Sequence, residues 1–230
     1  MNPPKDSLLI IGAGQYGLVA LEIAQAMGCF DKIAFLDDSF TGKGTEPAEG
    51  ATASPTASHP ERSEGSSPAV IGTTRDSSCH SREGGDLPSV IGSTRDISQF
   101  ATDFRYGFVA IGNPQVRARL VEQLKSSGIA PATLVHPTAY VSPSAQLQKG
   151  CSVEPLAVMQ TGAILGTATF VASGAVIRHN ATVGDFCHID CNAVVQTGAS
   201  VPNDTKVPCN SVFGTGFAPL HSPTQPNEDC

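Results

Sequence analysis

From Val135 to Val207 an aliphatic residue or methionine returns at every sixth position: Val135, Val141, Leu147, Val153, Met159, Leu165, Val171, Ile177, Val183, Ile189, Val195, Val201 and Val207. All thirteen slots are filled without a miss. A helix repeats every 3.6 residues and a strand every two, so neither accounts for six. A second register runs two residues ahead of each slot and is small throughout: Ala139, Ala145, Cys151, Ala157, Ala163, Thr169, Ala175, Ala181, Cys187, Ala193, Ala199 and Thr205. The physical solution is a parallel β-helix in which three hexads make one triangular coil. The aliphatic slot points into the prism and stacks on its equivalent one coil away. The small residue fits the corner, where a bulky side chain would collide. Four or so coils at strand spacing give a prism about 20 Å tall.

The chain before the repeat is of a different kind. An apolar run, Leu8–Ile11, meets Gly12, Gly14 and Gly17, and a helical pattern follows from Leu18 to Met27. A second run, Ile33–Leu36, ends in Asp37 and Asp38. Strand, glycine turn, helix, strand and terminal acid form the opening of a doubly wound nucleotide-binding fold. Glycines let the backbone approach a phosphate, and the helix N-terminus offers unpaired N–H groups. The acid can accept ribose or base hydrogen bonds. The alternative for the glycines is a tight turn packing helix on sheet. NAD is the usual ligand of such a turn, but this unit is short. A strand at Ser89–Ile91, a third run at Phe108–Ile111 before Gly112, Asn113 and Pro114, and a helix over 116–126 ended by Gly128 complete it. About four strands are expected, half of a full dinucleotide domain.

Between these strands, residues 41–87 are rich in Gly, Ser, Pro and Thr and poor in apolar clusters, which predicts a disordered insertion. There is an internal echo, PAVIGTTRD at 68–76 inside this segment and PSVIGSTRD at 88–96 just after it. Two copies do not make a solenoid; the second, which leads into the next strand, reads as the structural one. The fold expected is α/β plus all-β. A Rossmann-like unit covers 1–40 and 88–130, a left-handed parallel β-helix covers 131–213, and a flexible tail covers 214–230.

Charge and composition narrow the function. A net charge of -7 and a pI near 5.3 leave no basic surface for nucleic acid. No apolar run is long enough to span a membrane. MNPPKDSLLIIGAG lacks the cleavage site of a signal peptide, which predicts a cytoplasmic protein. The seven cysteines are irregularly spaced without a CxxC pair, so reduced thiols are expected and no structural zinc site. Nor do His136, His179 and His188 show the close pair of a β-helix zinc enzyme, and no metal is assigned. His59, His80 and His221 receive no role. Packing is the default for Cys187, Cys191 and Cys209.

Within the repeat stands GAVIRHNATVGDFCHI, with His179 and His188 nine residues apart. A small nucleotide-binding unit followed by a hexapeptide helix with this His pair resembles the sugar O- and N-acyltransferases typified by sialic acid O-acetyltransferase and UDP-N-acetylbacillosamine N-acetyltransferase. The resemblance implies an acetyl-CoA-dependent transferase acting on an amino or hydroxyl group of a sugar or nucleotide-sugar, in surface glycan synthesis. It implies His179 as general base, and His188, with Cys209, on the acetyl-CoA side. It assigns Gly14, Gln15, Tyr16, Asp37, Asp38 and Gly92 to the nucleotide-sugar, and implies a homotrimer. The chemistry agrees. Acetyl transfer needs a base that titrates near neutral pH and a donor aimed at the carbonyl oxygen. Nine residues are half a coil, so the two histidines of one chain face different ways and a shared site forms between chains. The family often has a carboxylate where this chain has Asn180, and a histidine where it has Tyr16. A scaffold whose site has decayed, or a nucleotide-binding protein, is the alternative.

Overall fold

The computed structural model describes residues 6–39 and 88–214. The expected disorder of 41–87, and all of the tail beyond residue 214, fall outside the described residues.

Five parallel strands form the N-terminal sheet: β1 (Ser7–Ile11), β2 (Lys32–Leu36), β3 (Val90–Gly92), β4 (Tyr106–Val109) and β5 (Ala130–Pro131), ordered β3-β2-β1-β4-β5. The central β1 is buried along its whole length, which is why it reads as an unbroken apolar run. Its side chains alternate between two layers. Leu8 and Ile10 pack with α1 (Gln15–Met27), whereas Leu9 and Ile11 pack with Leu120, Val121 and Leu124 of α2 (Pro114–Ser126).

Several boundaries differ from expectation. Helix α1 starts at Gln15 rather than Leu18, because its first turn is partly exposed and carries no apolar signal. Helix α2 starts at Pro114 rather than Val116: proline suits the first helical position, and the Asn113 side chain accepts from Val116 N at 3.0 Å. Strand β4 ends at Val109 rather than Ile111, since the Ile111 and Gly112 carbonyls leave the sheet to accept from Arg117. The sheet has five strands, not about four.

The hexad region forms a left-handed parallel β-helix. Two-residue strands recur from Leu134–Val135 to Val212–Phe213 and make three sheets of five, four and five strands. Each strand pairs with the one 18 residues away, as Val158 does with Val176 and Phe170 with His188. The slots from Val153 to Val207 are buried, as are the small residues from Cys151 to Ala199. A third register escaped the sequence reading. From Val153 onward the residue three before each slot, and likewise before Phe213, turns the corner at positive φ: Gly150, Gly162, Gly174 and Gly198, with Asn180, Asn192, Asp204 and Asn210 at others. Glycine, asparagine and aspartate tolerate this region. Leu156, Ala168 and Phe186 occupy it at a cost of about 1–2 kcal/mol each.

Arg117 joins the two parts. It is fully buried in α2, and among the described residues no carboxylate forms an ion pair with it. Its Nε donates to Ala168 O at 2.9 Å, Nη1 to Ile111 O and Gly112 O, and Nη2 to Phe186 O and Cys187 O. The guanidinium lies 4.3 Å from the Phe170 ring centre. Burial lowers its pKa to about 10, so it stays charged at neutral pH. Replacing it removes the donor from the buried Ala168 carbonyl and from the half-buried Ile111 and Phe186 carbonyls, while Cys187 O still accepts from Phe170 N at 3.0 Å; each acceptor left unsatisfied costs roughly 1–3 kcal/mol. Arg117→Met is therefore expected to cost about 3 kcal/mol or more in urea denaturation. Arg117→Lys should rescue little, since an ammonium has three donors. A loss under about 1 kcal/mol for Arg117→Met would show that this joint is not a main support.

Candidate functional site

The glycine turn builds one edge of the site. Gly12 holds φ +102, and any side chain at Gly17 would collide with the Gly12 carbonyl, so this packing requires both glycines. Gly14 is the N-cap of α1, makes no side-chain cap, and faces open space; no acid sits in the first turn. The helix therefore presents unpaired N–H groups and its positive dipole end, which suits an anion such as a phosphate. Gly14 and Gln15 are exposed and Tyr16 is half-buried.

Asp37 and Asp38 hold the neighbouring loops. Asp37 accepts from Ala13 N at 2.7 Å and from Ser39 N at 2.9 Å. Burial acts upward on its pKa, but hydrogen bonds from Ser39 and Ala13 outweigh it and hold the carboxyl below its usual value. Asp38 Oδ1 accepts from Thr94 Oγ1 at 2.7 Å, Ser93 Oγ at 2.8 Å and Thr94 N at 3.1 Å, and the Thr94 and Ser93 bonds lower its pKa. The Gly92 carbonyl accepts from Asp37 N at 2.9 Å. Gly14, Gln15, Tyr16, Asp37, Asp38 and Gly92 thus gather at the C-terminal edge of β1, β2 and β3, where open α/β sheets bind ligands.

His188 projects outward from the prism but is only 6% exposed. Tyr16 covers it edge-on with ring centres 5.4 Å apart, and Phe170 lies 6.0 Å away. Together with Arg117, Phe186 and the segment 204–206, Tyr16 and His188 line a cleft of about 250 Å³. Asp190 Oδ1 lies 4.0 Å from His188 Nε2, and Lys206 Nζ is 3.1 Å from Asp190 Oδ2. Burial pushes the His188 pKa down; Asp190 opposes this, while Lys206 and Arg117 reinforce it. A neutral imidazole has one donor nitrogen and one acceptor nitrogen, and here it can donate to a carbonyl oxygen entering the cleft.

His179 lies elsewhere. It is exposed, lies two residues beyond the strand Val176–Ile177 on a different sheet, and its carbonyl accepts from Gly198 N at 3.0 Å. Within one chain the cleft contains His188 and not His179. Asn180 supplies a left-handed corner at φ +54. Cys209 is exposed near Asp190 and is one coil from Cys191. The sequence reading missed Arg117, Phe186 and Lys206. Lys206 pairs in register with His188, so the coil length could have found it. Arg117 sits among the charged residues of α2 and gives no such signal.

Comparison with known proteins follows this geometry. The family model described as the PglD N-terminal domain matches residues 7–60. The chain is similar to the acetyltransferase domain of PglB from Neisseria gonorrhoeae, at 23% identity over 93% of this chain and 94% of that one, with a TM-score of 0.66. PerB from Caulobacter crescentus, solved in complex with CoA and GDP-perosamine, matches at 22% identity over 91% and 89% of the two chains, with a TM-score of 0.58. The PglB domain in complex with acetyl coenzyme A aligns at 24% identity over 90% and 98%, with a TM-score of 0.54. No curated protein sequence matches. These likenesses establish the fold.

The buried imidazole makes stability depend on pH. With its folded pKa below the ordinary 6.5, His188 binds fewer protons in the native than in the unfolded chain. Its neutral form is fully accommodated above that value, and stability is lost as pH falls from there through the folded pKa. Between about pH 7 and 5 the melting temperature should fall more steeply for the wild type than for His188→Gln. Parallel curves would rule out this burial effect.

Proposed function

We propose that this chain is an acetyl-CoA-dependent acetyltransferase acting on an amino or hydroxyl group of a sugar or nucleotide-sugar, in the cytoplasm, toward surface glycans. One observation carries the reading: Tyr16, from the glycine turn, and His188, from the β-helix, share the walls of one cleft. A ligand held by its phosphates at the α1 N-terminus would thereby reach the face that offers a neutral donor to a thioester. The acetyl-CoA and CoA complexes of the PglB domain and PerB favour this ligand pair, and GDP-perosamine in PerB favours transfer to nitrogen.

His179 takes the proton from the acceptor amine or hydroxyl as that atom attacks the thioester carbonyl carbon. His188 donates to the carbonyl oxygen, where negative charge develops. The C–S bond then breaks, and the proton passes to the departing thiolate. Gly14, Gln15, Tyr16, Asp37, Asp38 and Gly92 orient the nucleotide, Asp37 and Asp38 by fixing the loops, and Cys209 lies on the coenzyme side. The functional units of this reading are 1–40 with 88–130, and 131–213.

His179 acts from a neighbouring copy in a homotrimer. One sheet of the prism carries an outward ladder of Tyr140, Val158, Val176, Val194 and Val212, whose end members are 57% and 58% exposed. An apolar face of this kind suits a second copy of the chain. His179 lies two residues beyond the ladder strand Val176–Ile177.

The test is product mass. Protein would be incubated with acetyl-CoA and a panel of UDP- and GDP-linked amino sugars and sialic acids. A gain of one acetyl mass, reduced about 100-fold or more in His179→Ala, is the expected result. Product from both proteins would keep the transferase and remove the role of His179; no product from either would favour a scaffold. Val176→Glu with Val194→Glu should yield a folded monomer by light scattering and abolish turnover. A fully active monomer would sink the shared site.

A further inference from the structure

Cys191 and Cys209 are 18 residues apart, the interval that separates paired strands in adjacent coils. The two positions therefore stack, and Asn210 N donating to Cys191 O at 3.0 Å ties the coils together at this corner. One oxygen of Asp190 converges on the same point. The two Sγ atoms and a carboxylate oxygen all lie within 4.8 Å of one another.

We infer that Asp190, Cys191 and Cys209 form a binding site for a thiophilic divalent cation of the zinc type. Zinc takes thiolates at about 2.3 Å in a tetrahedron, which places two sulfurs roughly 3.8 Å apart. On binding the two thiols close to that separation from within 4.8 Å, and a solvent molecule completes the fourth position. Glu154 and Asp190 add negative charge around the two thiols, which suits a dication. Two thiolates and a carboxylate carry three negative charges, so a bound dication leaves one, and Lys206, already 3.1 Å from Asp190, balances it. Asp190 is held at this point by Cys191 N, which donates to its Oδ1 at 3.0 Å, and by Lys206. The cation binds as the two thiols release their protons to solvent, with no change of oxidation state.

The site borders the cleft, because Asp190 also lies beside His188. Its existence does not depend on acetyl transfer, so either proposal can fail alone.

The experiment is a titration of the full, reduced chain with Cd²⁺, read by the ultraviolet thiolate-to-metal band, followed by competition with Zn²⁺. The wild type should bind one more Cd²⁺ per chain than the double variant Cys191→Ser, Cys209→Ser. That variant subtracts the contribution of exposed Cys29 and of the remaining thiols. Each single serine variant should weaken binding by about 100-fold or more, and Asp190→Asn by about tenfold, the range in which even outer-sphere partners act. Circular dichroism would confirm that the variants keep their fold, as surface substitutions should. Equal stoichiometry and affinity in wild type and double variant would overturn the inference. A Cys191–Cys209 disulfide that persists in reducing buffer and excludes Cd²⁺ would overturn it equally.

Discussion

The architecture turns on one guanidinium. Arg117 enters the interior as a cation and meets only carbonyl oxygens, five of them, from the β4–α2 turn and from two stacked corners of the prism. A buried charge without a counter-charge is tolerable when every donor is satisfied and an aromatic face lies alongside. Two of the accepting corners, Ala168 and Phe186, are also left-handed without glycine or asparagine. Local backbone strain and the burial of a cation are thus concentrated at one joint and offset there by hydrogen bonds. This joint fixes how far Tyr16 stands from His188, and hence the shape of the cleft.

The cleft divides its chemistry by depth. Tyr16, backed by Phe170, and Phe186 give the cleft an aromatic wall, while Lys206 pairs with Asp190 toward solvent. His188 stands at the boundary between them. Its position explains its charge state: the aromatic wall removes water from the imidazole, and the nearby cations discourage a second positive charge. A neutral imidazole beside an aromatic wall is better suited to donating one directed hydrogen bond than to holding an anion.

Much of the fold was legible in the sequence, and the reason is periodicity. Thirteen aliphatic slots define a prism because nothing else repeats every sixth residue. The left-handed corners were equally periodic but escaped notice, since Gly, Asn and Asp share a backbone preference rather than a side-chain type. Strand and helix ends were misplaced where exposed first turns or a buried arginine, not apolar pattern, set the boundary. For the candidate site, the glycine turn and the acids expected from sequence lie together at one sheet edge, and His188 lies in the cleft. The sequence did not reveal that Asp37 and Asp38 spend much of their hydrogen-bonding capacity on their own loops. Nor could it place Arg117, because a long-range contact to backbone carbonyls leaves no compositional trace.

Stacking at an interval of 18 residues has a further consequence. The cleft draws on two successive levels of the prism, represented by His188 and Lys206, with Phe170 one level away in the same column. Every residue keeps its vertical neighbours if whole coils are added or removed beyond those levels, whereas an insertion of any other length must loop out at a corner to leave the column in place. The prism therefore behaves as a graduated rod. Its length is free to vary in fixed increments across descendants of this gene, while the rungs that face α1 and Arg117 remain tied to their place.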